Sequence, residues 1–296
     1  MVNILKKENR VRIQILGAIA FNGNLKGFMT GKIYKGISKG VCVPVLNCYS
    51  CPGAVGACPI GSLQNVVGVG SKFGFYVIGL LVLFGILMGR FFCGFLCPFG
   101  FLQDLLFKIK SKKIKIKSKT HNKLKYLKYF NLFVLVMILP FIVSFSRGYS
   151  IPFFCKYICP AGIIEASVPL IIKNPMIRSA LGILFTWKFI LTLIFIVLSI
   201  LIYRVFCKYI CPLGALYGIF NPISVYKLEV DNKKCIKCNR CSKICKMNIE
   251  PFKEPNSPEC IRCLDCKDIC PTGAISNSFK LCEENEDGIN KKTIKS

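Results

Sequence analysis

The chain is 296 residues long, 53% apolar, and carries nineteen cysteines and a formal net charge of +27 at pH 7. A mean hydropathy of +0.52 is too high for an ordinary soluble domain, and the charges cluster between apolar runs, as in a polytopic membrane protein with a small soluble appendage. The positive surplus flanks those runs, where lysine sets topology and meets anionic lipid, so it gives no ground for nucleic-acid binding.

Residues 1–12 hold Lys6, Lys7, Arg10 and Arg12 ahead of a short apolar run, Ile13 to Phe21. With Ala18-Ile19-Ala20 this also fits a cleaved signal, but Asn22 and Asn24 interrupt it, and a weakly hydrophobic first membrane helix is preferred. Phe73 to Gly89 is free of charge and about 26 Å long as a helix, just enough to span. Tyr129 to Ser146 is a second clear span with a kink expected at Pro140. Ser179 to Tyr203 is a third, interrupted only by Trp187 and Lys188. Between the Phe73 and Tyr129 runs stand Lys108, Lys110, Lys112, Lys113, Lys115, Lys117, Lys119, Lys123, Lys125 and Lys128. Ten lysines in one short loop place that side in the cytoplasm. Counting spans from there gives about four helices through the cell (inner) membrane. The N-terminus and the C-terminal segment are then cytoplasmic, and the loops at 30–72 and 147–178 lie outside.

Ahead of Cys235 the tetrapeptide C-P-x-G occurs four times, at Cys58, Cys97, Cys159 and Cys211. Three copies end a C-x3-C-P-x-G motif: Cys93/Cys97, Cys155/Cys159 and Cys207/Cys211. Cys42, Cys48 and Cys51 precede the fourth. On the expected topology the copies alternate outside, inside, outside, inside, as in a duplicated two-helix unit. Each face then offers four thiolates, the number a [4Fe–4S] cubane requires. The inner donors are Cys93, Cys97, Cys207 and Cys211. The outer donors are Cys155 and Cys159 with two more; Cys51 and Cys58 are favoured, and Cys48 and Cys42 remain candidates. Disulfides are the competing reading outside, and idle reduced thiols inside. Each proline suits the first position of a helix whose N-terminus faces the anionic cluster, as at Pro98. Arg90 and Arg204 are read either as offsets to cluster charge or as interfacial anchors.

From Cys235 the sequence runs Cys235, Cys238, Cys241, Cys245, then Cys260, Cys263, Cys266, Cys270-Pro271. Each run is C-x2-C-x2-C-x3-C, the spacing that wraps a cubane, and in two-cluster ferredoxins the fourth cysteine of each run crosses to the other cluster. Cys235, Cys238, Cys241 and Cys270 therefore form one set, and Cys260, Cys263, Cys266 and Cys245 the second. Lys246 stands where a proline would follow Cys245. Cys282 stands alone, and the tail 282–296 is charged and expected to be disordered. Residues 1–228 are thus read as a membrane all-α domain, and 229–281 as a small α+β ferredoxin-like domain with two [4Fe–4S] clusters.

His121 is the only histidine, which excludes bis-histidine haem within the chain. No C-x-x-C-H, G-x-G-x-x-G, P-loop or nucleophilic triad occurs, so any reaction is redox chemistry at clusters or at a bound quinone.

These motifs resemble the NapH/NosR-type 4Fe-4S membrane ferredoxin family over roughly residues 70–280. The resemblance rests on two inner C-x3-C-P motifs, each closing a membrane helix, followed directly by a two-cluster ferredoxin domain. It implies a four-helix membrane protein passing electrons between the quinone pool and a partner oxidoreductase. Cys93, Cys97, Cys207 and Cys211 match its inner motifs, and the eight cysteines from 235 to 270 its ferredoxin ligands. Cys155/Cys159 and the 42–58 group lie outside that pattern. They extend the expectation to a conduit from an outer donor, with one or two further clusters at the C-P-x-G sites. A hydrocarbon core of about 30 Å is long for one hop, so these sites must dip inward or a quinone must bridge them. The alternatives are an accessory protein for reductive maturation of a metalloenzyme, and a ferredoxin on a plain membrane anchor.

Overall fold

The computed structural model describes residues 7–69, 74–179 and 181–279. The start of the first expected long span at Phe73, Cys282 and the tail lie outside the described residues.

The chain opens with the helix Lys7–Phe21, whose Arg10 and Gln14 are buried. Both reach the carbonyl of Gly94 and the carboxylate of Asp104, which ties this helix to the core. The helix Gly74–Met88 is wholly apolar but only 15 residues long, about 22 Å against a core of about 30 Å. It stops because Gly89 takes a left-handed φ of 49°, which turns Arg90 into the protein. Two helices among the described residues are long and apolar enough to cross a membrane, Ser118–Arg147 and Ile183–Leu201. Gly74–Met88 is a shorter apolar helix, so two of the expected spans are found at full length among the described residues.

The expected kink at Pro140 takes another form. Asn131–Ile138 widens into i→i+5 bonding just before the proline, and Leu139 N–H reaches back to the Val134 carbonyl. Gly162–Ser167 does the same before Pro169, with Val168 N–H bonding Ile163. A proline forfeits one amide donor and crowds the carbonyl four residues back, and a wider turn relieves both faults.

The two long helices run antiparallel, as their ends show. At one end Lys128 meets Glu259, Ile114 N–H bonds the Leu201 carbonyl, and Asn248 bonds that of Ile116. At the other, Ser144 bonds the Gly68 carbonyl and Trp187 that of Tyr157. The lysine-rich loop and the ferredoxin segment therefore share one end of the molecule. The ferredoxin segment closes with two antiparallel strands, β1 (Tyr226–Val230) and β2 (Ile275–Phe279), paired from Tyr226↔Phe279 to Val230↔Ile275. It is fastened by Asn221, which donates to the Ser257 and Cys260 carbonyls and accepts from Arg90 N–H. Arg262, fully buried, donates in return to the carbonyls of Met88 and Asn221.

Candidate metal centres

The three C-x3-C motifs fold alike. Phe91–Phe95, Phe153–Tyr157 and Val205–Tyr209 are each a short helical turn. In every case the carbonyl of the phenylalanine before the first cysteine accepts from the residue before the second cysteine and from that cysteine itself: Phe92 from Leu96 and Cys97, Phe154 from Ile158 and Cys159, Phe206 from Ile210 and Cys211. One helical turn puts residues i and i+4 on one face, which aims both thiols the same way. Pro98 and Pro212 then open the helices Pro98–Lys108 and Pro212–Phe220, and Pro59 opens Pro59–Val69. The preceding cysteine caps the Pro98 helix, its Cys97 Sγ accepting from Gly100 N–H at 3.4 Å.

Cys93, Cys97, Cys207 and Cys211 are brought together in the core, all buried and each within electrostatic reach of the other three. Reciprocal arginines join their two motifs. Arg90 Nη2 donates to the Cys207 carbonyl at 3.0 Å, and Arg204 Nη1 donates to the Cys93 carbonyl at 2.6 Å. Both guanidinium groups are fully buried, so the interfacial-anchor reading is corrected. Arg90 pairs with Glu259, and Arg204 with Asp104. The glycine of C-P-x-G follows from this packing. A Cβ on Gly100 would stand 3.4 Å from the Arg204 guanidinium, and one on Gly214 3.3 Å from Arg90 Nη2.

Cys48, Cys58, Cys155 and Cys159 line a cavity of about 370 Å³, and every pair among them is within electrostatic reach. Cys51 does not join them. Its N–H bonds the Cys48 carbonyl, and that turn sends its thiol away to Asn22 Oδ1 at 3.6 Å. Cys48 therefore takes the place expected for Cys51. Cys42, bridged to Ala57, does not line this cavity but a neighbouring one with Lys39 and Tyr76. Cys58 and Cys159, with Cys155 packed against them, belong to the same hydrophobic core as Cys93, Cys97 and Cys211, and Cys97 Sγ lies 4.0 Å from the carbonyl of Leu46, a residue lining the cavity. The two sites thus dip toward each other. Tyr217 lies between them, fully buried, its hydroxyl unpartnered and within reach of Cys93 and Cys97 on one side and Cys58 on the other.

Sequence reasoning missed two residues here. Gln103 Nε2 donates to Cys207 Sγ at 3.0 Å, and Gln64 Nε2 donates to Cys155 Sγ at 3.2 Å. The orientation of each amide is fixed because its Oε1 accepts a backbone N–H, from Phe206 and Phe154 respectively. The signal was an extended repeat, C-P-x-G-x-x-Q, at Cys58–Gln64 and Cys97–Gln103. The same position in the other copies is Glu165, which accepts from Cys48 N–H at 2.7 Å, and Tyr217.

In the ferredoxin segment Cys235, Cys238, Cys241 and Cys270 line one small cavity, and Cys245, Cys260, Cys263 and Cys266 another. Lys237, Asn239, Arg262 and Leu264 all have positive φ, at matching places in the two runs. Four non-glycine residues held left-handed is a local strain that concentrates at functional loops. The second site abuts the inner motif: a Cβ on Gly94 would sit 2.3 Å from the Ile261 carbonyl, between Cys260 and Cys263.

The donor sets suit iron–sulfur clusters. All eighteen described cysteines are free thiols. Burial pushes the Cys93 thiol up to about 11 and those of Cys155 and Cys260 up to about 12, so they ionise only when a metal takes the charge. Among the described residues no three such donors stand close enough to share a single metal ion, and a cubane holds its thiolates further apart than one ion does.

Comparison with known proteins places this geometry. The family described as "4Fe-4S binding domain" matches residues 73–117, 130–168 and 184–230, each segment carrying one C-x3-C-P motif. The repeating unit is thus a single helix–motif–helix. The chain is 31% identical to the protein MJ0749 of Methanocaldococcus jannaschii over 67% of this chain and 68% of that one. It is 25% identical to YccM of Escherichia coli K12, a "putative electron transport protein", over 57% of this chain and 44% of YccM. It is 30% identical to the regulatory protein NosR of Stutzerimonas stutzeri over 55% of this chain and 21% of NosR. The chain thus spans under half the length of these last two. No solved structure matches.

Proposed function

The chain belongs to the NapH/NosR-type family of 4Fe-4S membrane ferredoxins, an iron–sulfur electron-transport family, and from that premise we propose that it carries electrons between a membrane-side redox partner and a partner oxidoreductase. The membrane-side partner is the quinone pool or an outer redox protein. In this reading Cys93, Cys97, Cys207 and Cys211 hold an inner cluster, and the sets Cys235/Cys238/Cys241/Cys270 and Cys245/Cys260/Cys263/Cys266 hold the two ferredoxin clusters. Each cluster, when bound, supplies a one-electron carrier. The residues around them fix spacing and charge: Arg90 and Arg204 lock the inner motifs, and Arg262 and Asn221 hold the ferredoxin against them.

The carrying observation is the close approach at Gly94 and Ile261, which sets the inner cysteines directly against the loop between Cys260 and Cys263. An anchor would have no use for that contact. At the far end Cys238 is exposed, as an exit to a soluble partner requires. We place the chain in the cell membrane on its two long apolar helices, with the ferredoxin segment cytoplasmic because it shares the lysine-rich end.

The test is electron flow in proteoliposomes, with a reduced soluble ferredoxin outside and a quinone in the bilayer. Steady quinone reduction that Cys97→Ser and Cys207→Ser abolish supports the conduit. Turnover unchanged in both variants would overturn it. No turnover in the wild type, with a metalloenzyme maturation defect in cells lacking the chain, would support the accessory reading instead.

A further inference from the structure

We infer that Cys48, Cys58, Cys155 and Cys159 hold a fourth [4Fe–4S] cluster, seated a short step beyond the inner one and tuned by Gln64. The inference rests on the cluster reading of the inner site, which it extends.

Three independent features point to a built site. The four thiols line one cavity of about 370 Å³. They come from segments as far apart as Cys48 and Cys159, so no local turn explains their meeting. The second feature is the matched amide. Gln64 is fully buried and spends its three engaged groups on fixed partners: Oε1 on Phe154 N–H, and Nε2 on the Ile60 carbonyl and Cys155 Sγ. Gln103 does the same at the inner site with Phe206 N–H, the Phe99 carbonyl and Cys207 Sγ. Two sites built on one C-P-x-G-x-x-Q template, with the amide proton aimed at the same cysteine of the opposing motif, argue for one kind of occupant.

The third feature is charge. Loading releases four thiol protons and leaves a cubane with four thiolates at about two negative charges in its oxidised form, and one electron adds a third. A positive group is needed nearby, and Lys188 supplies it. This lysine interrupts an otherwise apolar helix, donates to the Cys155 carbonyl at 3.0 Å, and lies 3.1 Å from where a Cβ on Gly162 would stand, itself 4.0 Å from Cys48 Sγ. It does for the outer site what Arg90 and Arg204 do for the inner one. A disulfide reading offers no reason for a half-buried lysine beside Cys155 or for an amide aimed at sulfur.

The amide has a definite effect. A hydrogen bond to a ligand sulfur stabilises the more negative, reduced cluster and raises its potential. Gln64 is thus a positioning and tuning residue for the outer site, as Gln103 is for the inner.

The test uses the full chain purified without oxygen, with iron and sulfide counted and clusters followed by redox-titrated paramagnetic resonance. The wild type should hold about sixteen irons, four cubanes' worth. Cys48→Ser should fall to about twelve and lose one signal, whereas Cys51→Ser should keep all sixteen. Because Cys48→Ser could also misfold, Gln64→Leu serves as a second probe: iron unchanged, one potential shifted negative and the inner potential unmoved, with Gln103→Leu giving the converse. A wild type at about twelve irons, dropping to about eight in Cys97→Ser, would overturn the fourth site and leave the inner cluster standing. About eight in the wild type would defeat both readings. Loss of iron in Cys51→Ser but not Cys48→Ser would overturn the ligand set.

Discussion

The ferredoxin segment and the helical core each gather thiols in fours, but they do so by opposite means. In the ferredoxin, three of each four ligands lie within seven consecutive residues, as at Cys260, Cys263 and Cys266, and the loop between them is held by left-handed residues such as Leu264. In the core, Cys93 and Cys97 meet Cys207 and Cys211 across more than a hundred residues, and buried arginines lock the pairing. The strained loop is a site nearly complete in itself. The core site exists only when the whole helical fold exists, so on the proposed reading metal binding there is coupled to folding.

The largest expected effect follows from that contrast. Arg204→Ala strips the Cys93 carbonyl of its donor and leaves Asp104 with Arg10 and Gln14 alone. Breaking a buried ion pair by removing one partner costs about 3–5 kcal/mol. The variant should lose the inner iron and melt well below the wild type in detergent, while its ferredoxin irons persist. A fully loaded, normally melting Arg204→Ala protein would mean that the core site is as self-contained as the ferredoxin's.

Next in size is Gly94→Ala. Its Cβ would meet the Ile261 carbonyl at 2.3 Å, so one backbone must yield, at about 1–3 kcal/mol for an overpacked site. Both halves should keep their iron while electron transfer between ferredoxin and inner site slows. Stopped-flow absorbance after rapid reduction of the ferredoxin would measure this, and an unchanged rate would deny the contact its role. Smaller again for the fold is Cys238→Ser. It should remove about four irons from the exposed ferredoxin site and leave the melting transition of the core in place.

The same contrast explains what the sequence disclosed. The proposed ferredoxin ligand sets are legible because the chemistry is written in consecutive spacing, and the two cavities gather the cysteines in the crossed sets that this spacing implies. The C-x3-C-P turns are legible too, since one helical turn fixes them. Which motif meets which is a property of the fold. The sequence favours Cys51 over Cys48, and only the backbone bond between them decides which thiol turns inward. Arg90 and Arg204 look like membrane-edge residues because a charge after an apolar run usually is one. Their burial depends on Gly89 ending a helix at 15 residues and on glycines that make room, neither of which has a hydropathy signal.

The smallest effect concerns acid, and it separates the halves once more. Burial alone would raise the Asp104 carboxyl, but Arg204 and Arg10 together hold it below the ordinary carboxylate range. A depressed folded value means that the contribution is complete above the unfolded value of about 3.9 and is lost as pH falls through the folded one. Asp231 in the ferredoxin segment is also depressed, chiefly by the backbone N–H groups of Lys233 and Lys234, but it is fully exposed to solvent. Its bonds shape the turn into Cys235 in water, where such contacts contribute little. The melting temperature in detergent should therefore be flat from about pH 7 to 5 as far as Asp104 is concerned, and should fall below about pH 4. Asp231→Ala should leave that acid limb where it is. An acid limb that moved with Asp231 would show the exposed loop, and not the buried arginine core, setting the acid tolerance of the chain.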